Sequence, residues 1–236
     1  MPSSYAAQVA ALPAPGYALV LPVKRLTEAK SRLVGPSPVL RQRLAFAFVL
    51  DTLNAASRCA RVAKVVVVTD DVQVRRRCHG RRGWSVVADP GAGLNTAISR
   101  GTAFVAARFP GLPVAVLMAD LPALRPDELD QALAEAQQHL FCFVADADGV
   151  GTTLLAARQA WSVATSFGNG SAARHLELGA VPVTAEIPTV RRDVDTVQDL
   201  AIAMALGTGP STRALAYGGR DEPLLPALAI HERISG

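Results

Sequence analysis

Short apolar runs alternate with amphipathic stretches along this chain, and no other feature of the sequence constrains its fold as strongly. Runs of this kind are typical of strands, and the stretches between them are typical of helices. In chain order the candidates are Tyr17–Val23, Val39–Ser57, Val65–Thr69, Val72–His79, Trp84–Ala88, Leu94–Arg108, Pro113–Met118, Asp127–His139 and Phe141–Ala145. This alternation predicts an α/β fold with a mixed, mostly parallel sheet and helices on both faces. The runs at 65–68 and 114–117 are apolar throughout, which is typical of central strands.

The pattern becomes irregular in the last third of the chain. Apolar segments at Thr152–Ala157 and Val181–Ala185, and a helix from about Thr196 to Leu206, predict an added lobe on the same sheet. We expect three regions along the chain: a flexible N-terminal arm over residues 1–15, a single domain over 16–209, and a C-terminal tail over 210–236 to which we assign no structure.

The composition excludes several classes of protein. Half of the residues are apolar, so the chain can bury a sizeable core and is not disordered as a whole. The net charge of +4 permits an anionic ligand. The arginines are scattered apart from a run at Arg75–Arg82, which we interpret as a solvated helix end and not as a nucleic-acid site. Cys59, Cys78 and Cys142 are expected to be reduced, buried thiols. With no apolar run of membrane-spanning length and no export signal, the sequence predicts a cytoplasmic protein without a membrane partner.

Polar residues that come after strands are the candidates for a site, because ligands of open parallel sheets bind beyond the carboxyl ends of the strands. After the first strand, Lys24, Lys30 and Arg32 either clamp a polyphosphate or form a basic surface loop. After the second, Asp70 and Asp71 are candidates for contact with a base or ribose, and one of them for an ordinary helix N-cap.

Later strand ends add a glycine loop and three carboxylates. Gly93 and Asn95 lie in a loop that suits a purine edge but is also an ordinary turn between a strand and a helix. Asp120 comes after a buried strand and is a candidate for holding a divalent cation or for capping the next segment of the chain. Asp193 and Asp195 would share one side of an extended segment, and such a pair needs either a metal ion or a salt bridge to Arg191 or Arg192.

Two further segments resemble substrate loops. Asp146–Thr153 places hydroxyl groups directly after a glycine turn, and Phe167–His175 enters a helix with Ser171 near its start. Solvated turns and an N-cap are the ordinary alternatives for these residues. His175 has no evident Ser or Cys nucleophile as a partner in the sequence, so a hydrolase triad has little support.

Seven motifs in one order resemble the CofC/FbiD family, the 2-phospho-L-lactate or phosphoenolpyruvate guanylyltransferases of coenzyme F420 biosynthesis. The motifs are P-V-K-x-L-x-x-A-K-S-R-L, V-V-V-V-T-D-D, D-P-G-x-G-L-N, A-D-L-P-A-L, D-G-x-G-T-T-L-L, F-G-x-G-S-A-x-R-H and R-R-D-V-D-T. The resemblance spans about Leu19 to Gly209 and implies a nucleotidyltransferase-type, Rossmann-like fold.

The resemblance also implies a reaction and a set of site residues. A phosphorylated three-carbon acid would attack the α-phosphorus of GTP and release pyrophosphate, and a downstream transferase of the pathway would use the product. The Arg- and Ala-rich composition looks actinobacterial and favours phosphoenolpyruvate as the acid over 2-phospho-L-lactate. The implied roles are Mg²⁺ binding by Asp120, Asp193 and Asp195 and acid binding by Thr153, Gly168 and Ser171. By position along the chain, we expect nucleotide binding by Lys24, Lys30, Arg32, Asp70, Gly93 and Asn95, and catalysis by Lys24, Lys30 and Asp120.

Three rival functions stay open at the level of sequence. A glycosyltransferase would use Asp193-Val194-Asp195 as its metal-binding motif, and an isoprenoid or sugar-phosphate nucleotidyltransferase would use CTP or UTP. A non-catalytic GTP-binding subunit would bind nucleotide without turnover. The sequence leaves the oligomeric state open.

Overall fold

The computed structural model describes residues 16–30, 32–33, 35–159 and 165–217. The predicted N-terminal arm, and the tail beyond residue 217, lie outside the described residues. The strands are β1 (Tyr17–Pro22), β2 (Val62–Val68), β3 (Trp84–Val87), β4 (Val114–Leu117), β5 (Phe141–Ala145), β6 (Thr152–Ala157) and β7 (Val181–Pro182). The α-helices are α1 (Pro38–Ala56), α2 (Val72–Cys78), α3 (Leu94–Arg108), α4 (Pro126–Ala136), α5 (Ser171–Glu177), α6 (Pro188–Arg191), α7 (Val197–Leu206) and α8 (Pro210–Tyr217), and a short 3₁₀ helix covers Leu26–Glu28.

The seven strands form one sheet in the order β3-β2-β1-β4-β6-β5-β7. Strands β3, β2, β1 and β4 run parallel, whereas β6 is antiparallel to both of its neighbours, β4 and β5. The predicted α/β fold with a mixed, mostly parallel sheet is confirmed. Because β6 runs backwards, its first residues lie at the same edge of the sheet as the last residues of β1 and β4.

The core has two main layers, one on each face of the sheet, as expected for strands that are covered on both sides. One layer packs the sheet against α1 and α4, and the other packs it against α3 and α5. A third cluster joins α1 to α7 and α8. Helix α3 lies close to the sheet because residue 101 is glycine: a Cβ there would overlap the Val20 side chain and lie 2.8 Å from Val68 Cγ2.

Side-chain caps fix where several helices begin. Ser37 accepts a hydrogen bond from Leu40 N (3.2 Å) before α1, and Thr196 forms a capping box with Asp199 before α7. Residues 210–217, for which the sequence predicts no element, form α8. The Asp51 carboxylate of α1 caps α8 by accepting bonds from Ser211 N (3.0 Å) and Thr212 N (2.7 Å).

The structure shows the state of the three cysteines and the lengths of the described helices. Cys59, Cys78 and Cys142 are buried and unpaired, as predicted. Within the described ranges, no helix is both long and apolar enough to cross a membrane.

Candidate active site

One cavity of about 500 Å³ opens at the edge of the sheet where β1 and β4 end and β6 begins. Most of the residues predicted from the sequence line this cavity. These are Lys24, Lys30, Arg32, Asp120, Gly168, Ser171, Asp193 and Asp195. Apolar side chains, among them Val49, Leu94 and Phe167, complete the walls. The cavity therefore holds a cationic loop, an acidic cluster and a pair of hydroxyl-bearing segments.

Lys30 is the centre of the charge arrangement. Its backbone has a φ of +58°, a left-handed conformation that is uncommon for a residue other than glycine. The preceding 3₁₀ helix is held by the Asp71 carboxylate, which accepts a bond from Leu26 N (3.0 Å). In this conformation the Lys30 ammonium pairs with Asp120 and lies 2.9 Å from Asp195 Oδ1. The predicted phosphate-binding lysine is thus buried between two carboxylates, while Lys24 is exposed at the cavity.

The backbone brings the three predicted metal-binding carboxylates together. Asp120 comes after β4, and its carbonyl oxygen accepts a bond from Val194 N (3.1 Å), which places Asp193 and Asp195 beside the end of that strand. Burial, reinforced by repulsion from Asp120 and Asp195, raises the pKa of Asp193 to about 7. Burial acts in the same direction on Asp195, but attraction and a hydrogen bond from Lys30, together with attraction from Arg32 and Lys24, outweigh burial and lower the pKa of that carboxyl.

The donor set fits a divalent cation, although the carboxylates are not arranged around one. Within the described part of the chain, no three His, Cys, Asp or Glu side chains adopt a metal-binding arrangement, and two of the three acids pair with Lys30. However, Asp120 Oδ1 is buried and has no hydrogen-bond partner among the described residues. A buried, unpaired carboxylate oxygen is costly, and hard cations such as Mg²⁺ prefer such oxygens.

The predicted alternative was a salt bridge from Arg191 or Arg192 to Asp193 or Asp195, and neither arginine forms one. Arg192 pairs with Asp199 (3.2 Å), and Arg191 Nη2 donates to the backbone oxygen of Val183 (2.8 Å). The cations near Asp195 are Lys30 and, at 3.7 Å, Arg32. Both come from the loop after β1, which is distant in sequence.

The hydroxyl side of the cavity carries Thr152 beside the predicted residue Thr153. Thr152 lines the cavity, whereas Thr153, the residue chosen from the sequence, is not among the described residues that do so. The Thr153 hydroxyl is buried and lacks a hydrogen-bond partner within those same ranges. Ser171, the first residue of α5, donates to Thr152 Oγ1 (3.1 Å). The register of β6 is irregular at these two residues, because Ala145 of β5 pairs with Thr152 and Val144 pairs with Leu154, which leaves Thr153 as the extra residue.

The Gly168 loop is held by side chains from two helices. Asn95 of α3 accepts a bond from Phe167 N (2.8 Å) and donates to Phe167 O (3.0 Å). Arg174 of α5 binds Ser166 O through both Nε (3.2 Å) and Nη2 (2.9 Å), and its Nη1 donates to Asn169 O (2.6 Å). The loop that carries Gly168 is therefore braced before any ligand binds.

Three residues predicted to bind nucleotide are not among the described residues that line the cavity, namely Asp70, Gly93 and Asn95. Asn95 Oδ1 and Nδ2 each form a hydrogen bond with the Phe167 backbone, so this side chain is tied to the loop that carries Gly168. Asp70 lies 3.9 Å from Arg75, and Asp71 is the N-cap of α2, as the alternative for this pair predicted. Gly93 precedes α3 with a φ of +93°.

Sequence reasoning placed Thr152 in a candidate substrate loop without choosing it as a site residue, and it missed the bracing role of Asn95. No local signal separates Thr152 from Thr153, because the register of β6 is irregular here and depends on its pairing with β5. For Asn95 no local signal exists, since its partner lies 72 residues later in the chain.

Several known proteins resemble this chain in sequence. The family model described as "Guanylyl transferase CofC like" matches residues 17–215. A phosphoenolpyruvate guanylyltransferase of Thermomonospora curvata is 49% identical over 201 residues, which cover 85% of this chain and 88% of that protein. The protein of the same name from Streptomyces coelicolor is 50% identical over 202 residues, covering 85% of this chain and 95% of the relative.

Solved structures with low sequence identity share the fold. A nucleotidyl transferase from Methanothermobacter has a TM-score of 0.55 at 19% identity, with 81% of this chain and 98% of that chain covered. A Mycobacterium tuberculosis protein solved in complex with manganese has a TM-score of 0.51 at 18% identity, with the same coverage. The structural likeness supports the nucleotidyltransferase-type fold, and the family model with the close relatives establishes membership: this chain belongs to the family of CofC-like guanylyl transferases.

Proposed function

We propose that this protein transfers a guanylyl group from GTP to phosphoenolpyruvate, giving enolpyruvyl-diphospho-5′-guanosine and pyrophosphate, in coenzyme F420 biosynthesis. The observation that carries the proposal is the single cavity in which the family's acidic cluster, its cationic loop and its hydroxyl-bearing loops meet. The relatives named phosphoenolpyruvate guanylyltransferase support the choice of acid.

The chemistry needs charge neutralisation more than it needs a protein nucleophile. A phosphate oxygen of phosphoenolpyruvate forms a bond to the α-phosphorus of GTP, and the bond from that phosphorus to the β-phosphate oxygen breaks, so that pyrophosphate leaves. The attacking phosphate is already ionised at neutral pH and requires no general base. Holding two anions in line is then the principal task of the site.

The residues divide this task by charge. Lys24 and Arg32, exposed on the loop after β1, would bind the triphosphate, and Lys30 would balance Asp120 and Asp195. The Thr152 hydroxyl and the Gly168 backbone would bind phosphoenolpyruvate from the other wall, and Ser171 would contribute there by donating to Thr152 Oγ1. A divalent cation, in our proposal Mg²⁺, would be held by Asp120, Asp193 and Asp195 and would supply further positive charge at the reacting phosphates.

We propose roles that differ from the sequence-based ones for Thr153, Asp70, Gly93 and Asn95. Thr152 replaces Thr153 at the acid, and Asn95 acts by holding the loop instead of touching guanine. We propose no guanine-reading side chain. The cytoplasm remains the proposed location, on the strength of the three unpaired thiols, and a second transferase would consume the product.

The test is pyrophosphate release with GTP, Mg²⁺ and phosphoenolpyruvate. We expect turnover that falls sharply when CTP or UTP replaces GTP, and a lower kcat/KM with 2-phospho-L-lactate. Asp193→Ala should abolish turnover and keep the fold. Asp148→Ala is the matched control, because Asp148 is an exposed acid of the adjacent turn outside the described lining of the cavity.

Each rival has its own outcome. Hydrolysis of a nucleotide-sugar without pyrophosphate release would favour the glycosyltransferase. GTP binding that survives both Asp120→Ala and Asp193→Ala, with no product under any condition, would favour a non-catalytic subunit. Normal turnover of Asp193→Ala would refute the role given to the acidic cluster.

A further inference from the structure

His175 lies directly behind the hydroxyl wall of the cavity and is completely buried. Its ring packs edge-on against Phe167 (centroids 5.0 Å apart) and at a tilt against Phe143 (6.1 Å). Each ring nitrogen has a polar partner: Nδ1 lies 2.9 Å from Thr152 Oγ1, and Nε2 lies 3.1 Å from Ser166 N. The ring therefore links two segments of the proposed acid-binding wall.

The backbone fixes the tautomer of this ring. Ser166 N–H can only donate, so Nε2 must accept and carries no proton. In a neutral imidazole the other nitrogen then carries the hydrogen, and Nδ1–H donates to Thr152 Oγ1. The ring is neutral at pH 7 because burial, with a smaller effect of Arg174, lowers the pKa of His175 to about 4.

The bond from Nδ1–H decides what the Thr152 hydroxyl offers to a ligand. A threonine oxygen accepts two hydrogen bonds and donates one. The oxygen of Thr152 accepts from His175 Nδ1 and from Ser171 Oγ (3.1 Å). With both acceptor positions filled, the remaining function of this hydroxyl is to donate, and Thr152 lines the cavity.

We infer that His175 is a positioning residue that holds the Thr152 hydroxyl as a hydrogen-bond donor toward the anionic oxygens of the three-carbon acid. The inference rests on the proposed function for the identity of the acid. His175 does not act as a general base, because both of its nitrogens are already bonded and its ring is closed off from solvent. It acts through Thr152, and its effect should be confined to the acid and not extend to the nucleotide.

The first test reads the tautomer directly in the full-length protein. In ¹⁵N-histidine-labelled protein, the resonances of His175 are identified among the four histidines by their loss in His175→Asn. We expect a pyrrole-type signal from Nδ1 and a pyridine-type signal from Nε2 at pH 7. The reverse assignment, or a protonated ring at pH 7, would overturn the inference whatever the kinetics show.

The second test uses two substitutions that each preserve one half of the ring's bonding. Asn reaches the position of Nδ1 and can still donate to Thr152, whereas Gln reaches the position of Nε2 and can still accept from Ser166. We expect His175→Gln to raise KM for phosphoenolpyruvate about tenfold, the factor for one hydrogen bond of about 1.4 kcal/mol, with KM for GTP unchanged. His175→Asn should stay within about threefold of the wild type.

A double-mutant cycle with Thr152→Val separates positioning from packing. If His175 acts through the hydroxyl, His175→Gln has no further effect on KM for phosphoenolpyruvate once that hydroxyl is gone. Additive effects of the two substitutions, or equal rises of both KM values, would refute the inference. Absence of pyrophosphate release from the wild type would instead refute the proposed function. Should the Gln variant not fold, the tautomer measurement on the wild type decides.

Discussion

Replacing Asn95 by alanine tests whether this side chain reads guanine or braces the loop that binds the acid. The substitution removes two hydrogen bonds, of 2.8 and 3.0 Å, to the backbone of Phe167. Each such bond contributes about 0.5–1.5 kcal/mol net. We therefore expect the free energy of unfolding to fall by about 2 kcal/mol, which lowers the midpoint of thermal unfolding by roughly 4–8 °C for a domain of this size.

The kinetic consequence separates the two roles. Because Gly168 comes directly after Phe167, releasing the loop should raise KM for phosphoenolpyruvate up to about tenfold and leave KM for GTP within about twofold. Thr96→Ala is the matched control, because Thr96 is the next residue of α3, is exposed, and bonds only to Ala92 O of its own turn (3.0 Å). It should change neither KM nor stability appreciably.

Initial rates of pyrophosphate release with one substrate varied at a time give both KM values, and thermal unfolding monitored by circular dichroism gives the stability. A rise in KM for GTP alone would refute the bracing role and restore the contact with guanine expected from the sequence. A variant of normal stability with both KM values unchanged would show that the two hydrogen bonds contribute nothing to the loop.

Three further predictions concern stability. Asp51→Ala removes the carboxylate that caps the second and third residues of α8, and urea unfolding should show a loss of about 1–2 kcal/mol; an unchanged midpoint would mean that α8 holds without its cap. Gly101→Ala places a methyl group against Val20 and Val68, so unfolding free energy should fall by about 1–3 kcal/mol unless α3 can shift away from the sheet at no cost. Burial, with a smaller effect of Arg174, lowers the pKa of His175 from 6.5 to about 4, so the unfolded chain binds the proton more readily than the folded one. The free energy of unfolding should therefore fall by up to about 3 kcal/mol as the pH drops from above 6.5 toward 4. The His175→Asn variant should lack this dependence on pH.

The elements that periodicity predicted are those whose patterns are local. The apolar run at 65–68 forms the buried end of β2, and the stretch at Leu94–Arg108 forms α3 with the bounds expected. Helix α8 escaped prediction because it is short and its N-terminus is capped by Asp51, about 160 residues earlier in the chain. A cap supplied by tertiary structure leaves no signal in the segment that it stabilises.

In the candidate site, too, the sequence predicted the features that are local and missed those that depend on distant contacts. Asp120, Asp193 and Asp195 were predicted because carboxylates at strand ends and close pairs of acids are conspicuous in a sequence. The pairing of Lys30 with two of them was not, because it depends on a left-handed backbone at a lysine and on contacts across 90 and 165 residues. Charge type and spacing show which groups a site contains, but not which of them neutralise one another.

The backward direction of β6 limits how this protein can vary. In the turn before β6, the Asp146 carboxylate accepts hydrogen bonds from Val150 N (2.9 Å) and Gly151 N (2.7 Å). A Cβ at Gly151 would collide with that carboxylate. The register beside this turn is already irregular, with Ala145 opposite Thr152 and Val144 opposite Leu154, so adding or removing one residue here would move Thr152 away from Ser171 and His175. Insertions can therefore accumulate in other surface loops of such enzymes, whereas the length of this hairpin should be held constant wherever the Thr152 hydroxyl is needed.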